Sequence, residues 1–244
     1  MSDLTSTTEQ IRELIRRLAA ADASLRVFGA DMHRYRLNPC LSEDDLAAFE
    51  SVNGIALPED YREFLRRVGN GGAGPFYGLR PLSADERELA RPFPFEATAN
   101  MSEPVERPEG EWDTRAPGIL ELCHQGCTYY YWLVVSGPSH GTVWEADDDV
   151  SFFPTRLTFL QWYRSWAEKA LQALENEPLV ARLRAGMTLA EVLDTVKGDW
   201  QTRPASGRDT RFVEATDIPA QLEVDPSGVV VKVNPWISIV ARPG

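Results

Sequence analysis

The sequence is poor in the residues that staple, anchor or plate a chain. It holds three cysteines, Cys40, Cys123 and Cys127, in 244 residues, which does not make a disulfide framework. Its histidines are only His33, His124 and His140, so chemistry that needs a histidine late in the chain has none to use. No apolar run approaches the ~20 residues of a membrane-spanning helix. The N-terminus is polar and then helical in pattern, without the apolar core of a secretory signal, so the chain reads as cytoplasmic. Positive charge is also short: 25 Lys and Arg stand against 37 Asp and Glu, a net charge of −12. That balance argues against direct nucleic-acid binding and against docking on anionic membranes, both of which want a basic surface. It suits a basic protein partner, because opposite fields speed encounter, and it also serves plain solubility.

What is present is most concentrated in residues 57–82, LPEDYREFLRRVGNGGAGPFYGLRPL. Pro58 fits the first helical position, where a missing N–H costs nothing. Glu59 and Asp60 follow in the first turn, where the helix dipole favours negative charge. Tyr61, Phe64, Leu65 and Val68 fall at i, i+3, i+4 and i+7, one apolar stripe. Arg66 and Arg67 sit in the last turn and Gly69 ends the helix. Residues 75–79 then read as a strand.

These residues also carry a resemblance. Leu57-Pro58-Glu59-Asp60-Tyr61, Phe64-Leu65, Asn70-Gly71-Gly72 and Gly78 resemble the signature of the SUKH superfamily. That superfamily takes its name from fungal cell-wall synthesis regulators of the Smi/Knr type and contains many bacterial toxin-immunity proteins. Further on, Gly141, Val143 and Trp144, an acidic turn, then Phe159-Leu160 and Trp162 are similar to its C-terminal half in order and spacing. The resemblance implies an α+β domain, a mainly antiparallel sheet with helices packed against it. It also implies a role as an immunity protein that neutralises a basic toxin domain of nuclease or deaminase type. The alternative it allows is a regulatory scaffold of the cell-wall-synthesis type.

The rest of the chain is read from its own pattern. Residues 6–21 are helical, with Ser6 and Glu9 as a capping box and Ile11, Leu14, Ile15 and Leu18 as the buried stripe. Residues 25–37 are ambiguous. Ser42 caps a helix to about Val52, with Leu46 and Phe49 inward and Asn53-Gly54 as its stop. Residues 83–113 hold nine acids, three bases and four prolines and read as a long acidic loop with a short helix near 85–89. Residues 119–122, 128–135, 142–146 and 150–153 form an antiparallel meander. Thr158 and Gln161 box the start of the strongest helix, which carries Phe159, Tyr163, Trp166, Ala170 and Leu174 on one face, with Trp162 toward its edge, until Pro178 breaks it. The SUKH-like domain therefore spans 1–177. A small helix-plus-hairpin unit of unknown role occupies 178–244, with Thr188 and Glu191 capping its helix.

Several motifs match catalytic patterns by letter. Gly69, Gly71 and Gly74 spell G-x-G-x-x-G, but the dinucleotide fingerprint follows a strand and opens a helix. This one follows a helix and reads as a loop allowing positive φ. Gly137-Pro138-Ser139-His140-Gly141 spells G-x-S-x-G, yet it joins two strands and no histidine follows it, unlike a nucleophile elbow. Residues 123–127 offer two cysteines and His124, with Cys40 or His140 as a further ligand, at a spacing foreign to structural zinc. Asp147, Asp148 and Asp149 beside Glu145 lack the glycine and distal glutamate of a calcium loop, and read either as a solvated turn or as an acidic contact for a basic partner. Tyr129, Tyr130, Tyr131, Trp132 and Trp144 alternate on strands. One face must be core, and the other is free to present aromatic anchors. Tyr77, beside the glycine loop, reads as exposed.

No acid–base pair, activated nucleophile or phosphate loop survives this test. The chain reads as a binding protein, not an enzyme, without cofactor or metal. An enzyme using the cysteine–histidine segment is the remaining alternative. The partner contacts expected are Glu145, Asp147, Asp148, Asp149, Tyr77, Glu109 and Glu111.

Overall fold

The protein is described here by a computed structural model, over residues 2–83, 88–96, 105–106, 116–126, 128–147, 151–196, 200–204, 210–215 and 220–235. The first helix, α1 (Ser2–Ala21), buries Ile11, Leu14, Ile15 and Leu18 as the stripe requires. It starts earlier than Ser6, so the Ser6–Glu9 capping box does not form. Leu4, in the added turn, packs on the core, and Thr8 donates its hydroxyl to the Thr5 carbonyl at 2.9 Å. The ambiguous stretch contains a single helical turn, α2 (Ala30–His33). Helix α3 (Glu43–Asn53) opens on the Ser42 capping box and closes on Gly54.

The signature helix is α4 (Glu59–Arg67), with Tyr61, Phe64 and Leu65 buried. Tyr61 and Phe64 meet Phe159 at ring separations of 4.6 and 4.9 Å, and Phe64 meets Tyr163 at 4.8 Å. Arg62 reaches both Glu43 and Glu50, tying α4 to α3. The strand expected over 75–79 is absent. Gly72 and Leu79 exchange both backbone hydrogen bonds at 2.8 Å, and Phe76 and Gly78 take positive φ between them. Positive φ at those two positions folds the segment into a tight turn instead of extending it.

The main sheet contains β1 (Val105–Glu106), β2 (Ile119–Gly126), β3 (Tyr129–Val134), β4 (Thr142–Asp147) and β5 (Ser151–Thr158), in the order β1-β5-β4-β3-β2 and antiparallel throughout. The architecture is α+β, as expected. One face packs on α5 (Phe159–Val180): Leu120, Leu122, Tyr131, Leu133 and Val143 join the core of α1, α4 and α5. The other face is not free to present aromatics. Trp132, Val134, Trp144, Ala146 and Phe152 are buried there under Phe93, Phe95 and Ala116. Phe93 stands 5.2 Å from Trp144 and 5.6 Å from Phe152, ring to ring. Part of the acidic loop is thus a cover for the sheet, and β1, from the same stretch, pairs with β5. The helix expected near 85–89 lies mostly outside the described residues.

Helix α5 differs from expectation in two respects. Trp162 is fully buried, not edge-on, because the sheet closes over it through Tyr131 at 5.2 Å. The helix also runs past Pro178 to Val180. A proline this near the end forfeits one helical hydrogen bond, while Leu179 and Val180 join a second apolar cluster. That cluster holds α6 (Leu189–Thr195), boxed by Thr188 and Glu191, against a sheet of β6 (Trp200–Pro204), β7 (Arg211–Ala215), β8 (Ala220–Val224) and β9 (Val230–Pro235) in sequential order. Strand β6 was not anticipated.

Asp60 does more than favour its own helix dipole. Its Oδ2 accepts the Leu160 backbone N–H at 3.0 Å, so the signature acid caps the N-terminus of a helix 100 residues away. We expect Asp60→Ala to cost about 1–2 kcal/mol in urea unfolding at pH 7, the usual worth of a lost cap. A change within a few tenths would mean the cap is idle.

Candidate protein-binding surface

The register places two rows of side chains on the α5 face of the sheet. Tyr131 opposes Glu145, which opposes Phe153; one step further out, Tyr129 opposes Asp147, which opposes Ser151. Alternate residues of a strand share a face, so these rows are neighbours. Trp162, in the first turn of α5, reaches Tyr131. Tyr129 and Phe153 are left 44% and 39% exposed. Tyr77, 43% exposed, borders the same end of the sheet, with its ring near Gly126 and stacked at 5.8 Å on His124. Phe28 supports Tyr77 at 5.2 Å.

The carboxylates of this shelf are held in place. Glu145 accepts from Gln125 Nε2 at 3.0 Å and from the Tyr131 hydroxyl at 3.3 Å. Asp147 accepts from Thr128 Oγ1 at 2.7 Å. Among the described residues neither forms an ion pair; Arg80, from the loop beside β2, pairs with Glu121 instead. Two acids therefore sit among exposed rings with neutral partners. Glu145 and Asp147 share the α5 face of β4, whereas Tyr77 lies at the β2 edge, against His124 and Gly126. Asp148, Asp149, Glu109 and Glu111 lie outside the described residues. Tyr129, Phe153 and Gln125 were not singled out as contacts, although the two-residue phase from Tyr131 to Tyr129 was a usable signal.

The shelf is buttressed from below. Asp22, buried, accepts the backbone N–H groups of Arg26 and Val27 at 2.6 and 3.0 Å and the Tyr35 hydroxyl at 2.7 Å. Burial, followed by the Asp22 contact, pushes the Tyr35 phenol up, so it stays a donor. Gly29 sits against the Phe76 carbonyl. His33, 9% exposed, accepts the Tyr35 N–H through Nδ1 at 3.0 Å and packs edge-on to Trp166. Burial pushes its imidazole down to about 4, against the smaller upward pull of Asp31, the Gly74 backbone and Asp22. A histidine held neutral in the fold supports stability fully above its unfolded pKa of ~6.5 and loses that support as pH falls toward 4. The expected loss is about 3 kcal/mol across that window. Urea melts at pH 7 and pH 4.5 should show a steeper fall for the native chain than for His33→Gln; equal slopes would contradict it.

The catalytic patterns do not assemble. Ser139 Oγ donates to the Phe95 carbonyl at 2.9 Å, whereas His140 Nε2 contacts the Ala56 carbonyl at 3.0 Å, so the serine and its neighbour are engaged separately. Cys123 is fully buried, and burial, with Glu121 and Glu145 adding to it, pushes its thiol well up. Such a thiol is a poor nucleophile. His124 is enclosed by rings, with Tyr130 at 4.7 Å on one side and Tyr77 on the other. Among the described residues no three His, Cys, Asp or Glu side chains are grouped to hold a metal ion; Cys127 lies outside them. The glycine triad packs its backbone on residues 37–38 and 79–81, and among the described residues no helix opens directly after it. Among the described residues, too, no helix is long and apolar enough to cross a membrane.

A model of the SMI1 / KNR4 family (SUKH-1) matches residues 40–165, just over half of the chain. The match runs from the loop before α3 through the main sheet into α5. No curated protein and no solved structure matches.

Proposed function

Because the chain belongs to the SMI1 / KNR4 family (SUKH-1), we propose that it is a non-enzymatic protein-binding module working through the end of the main sheet that α5 leaves bare. The observation that carries this is the placing of exposed Tyr129 and Phe153 directly opposite Asp147 and Glu145, with exposed Tyr77 at the same end of the sheet. Aromatic anchors supply contact area at low entropic cost, and the fixed acids select the sign of the partner.

The finer role we propose is immunity: the chain covers the active cleft of a cognate toxin domain of nuclease or deaminase type. A nuclease cleft is basic because it holds phosphate, so an acidic protein competes for the same surface. A second role, a regulatory scaffold of the cell-wall-synthesis type, draws support from the α6 and β6–β9 unit, which has a core of its own and lies outside the family match.

Co-expression separates the two. For immunity, a toxin domain encoded beside this chain should stop killing its host when the chain is present, with a stoichiometric complex recovered. No rescue, with several endogenous partners bound instead, would overturn immunity in favour of the scaffold.

A further inference from the structure

We propose that the bare shelf takes arginine side chains of its protein partner, the guanidinium lying on Tyr129 while it donates to Glu145 and Asp147. The inference rests on the protein-binding reading and specifies the group recognised. Three features of the shelf point to it. First, its exposed surface is aromatic: Tyr129 and Phe153, opposite the two acids, are left exposed. A cation that is weakly hydrated, planar and able to stack fits such faces, which favours guanidinium over ammonium.

Second, the acids are spaced for a fork. Glu145 and Asp147 are alternate residues of β4 and lie on one face, about 6.6 Å apart along the strand. Tyr129 opposes Asp147 directly and is diagonal to Glu145, within reach of a long side chain laid between them. Third, the acceptors are already oriented. Gln125 and Tyr131 each donate to a different oxygen of Glu145, and Thr128 donates to Asp147. A carboxylate has about four acceptor directions, so each half-buried acid retains acceptor capacity. Fixed acceptors lose less entropy on binding than free ones. The long-range field has the same sign, since the whole chain carries −12.

The other strong candidates carry less. The edge of β5 beyond Phe152, unpaired among the described residues, is interrupted by Pro154 and by Arg156 at φ 62, features that discourage an added strand. The groove where α1, α3 and α4 meet is lined by Arg62, Arg66 and Arg67, but these are paired with Glu43, Glu50 and Glu63.

The test uses amide-resolved NMR of the full chain titrated with N-acetyl-arginine amide, N-acetyl-lysine amide and the neutral isostere N-acetyl-citrulline amide. The arginine probe should shift the amides around Tyr129, Glu145 and Asp147 saturably, and bind roughly threefold tighter than lysine; citrulline should leave them unmoved. Glu145→Gln with Asp147→Asn should abolish the response, and Tyr129→Ser should weaken it roughly threefold. Equal response to lysine, shifts scattered over the acidic surface, or a response surviving the double substitution would overturn the arginine site. Those results leave toxin rescue unaffected. Failed rescue with an intact arginine response would instead reject the immunity role.

Discussion

Gly29→Ala is expected to destabilise the protein by at least about 3 kcal/mol and to abolish partner binding in whatever fraction stays folded. Two costs combine. Gly29 has φ +79, a left-handed conformation that costs a residue with a Cβ roughly 1–2 kcal/mol. A Cβ there would also stand 1.7 Å from the Phe76 carbonyl oxygen and 2.4 Å from its carbon. Those are backbone atoms, so relief requires the 75–78 turn to move. That turn carries Tyr77, and Phe76 is stacked on Tyr131 at 6.0 Å, so displacement spreads into the shelf. Urea unfolding reads the first effect; the Tyr77 ring signals in NMR read the second. A fully stable variant with unshifted Tyr77 signals would show that Gly29 is merely small and not required.

Asp22→Ala is expected to cost about 3–5 kcal/mol, since removing one side chain strands several buried donors. The Val27 N–H and the Tyr35 hydroxyl lose a common acceptor inside the fold, and each unsatisfied group costs about 1–3 kcal/mol. Asp22→Asn keeps the shape and one oxygen, so it should recover about half the loss. The double variant Asp22→Ala with Tyr35→Phe should be less destabilised than the sum of its parts, because the phenol no longer has a bond to lose. Strict additivity in thermal or urea melts would remove the Tyr35–Asp22 bond from the account.

Local signals in the chain were strong where a single element explains itself. The capping residues Ser42, Thr158 and Thr188 stand where their helices start, because a capping box is a contact between residues three apart. The α4 stripe is buried for the same local reason. The meander was legible from alternation, and the resemblance carried by residues 57–78 pointed to its architecture. Non-local bonds were not legible. Nothing near Asp60 in sequence reveals that it caps Leu160. Strand β6 has polar Gln201, Thr202 and Arg203 in its centre and is held by pairing with β7, so it lacks any apolar period. The second sheet face seemed free because its cover, Phe93, sits in a stretch dominated by acids and prolines. The turn at 75–78 is decided by Gly72 pairing with Leu79, a contact that outweighs an apolar run of strand composition. In the candidate surface, the shared face of Glu145 and Asp147 follows from strand phase. Their placement opposite Phe153 and Tyr129 follows only from register.

The central claim is that a protein partner sits on the shelf around Glu145 and Asp147. It is tested most directly by measuring the affinity of a purified, rescued toxin domain for the native chain and for Glu145→Lys with Asp147→Lys, at low and moderate salt. The account predicts that charge reversal weakens binding at least about tenfold at low salt and flattens the salt dependence, since close charge pairs contribute about 1.5 kcal/mol or more. An unchanged affinity and salt slope, in a variant whose spectrum shows the fold intact, would place the partner on another face and contradict it.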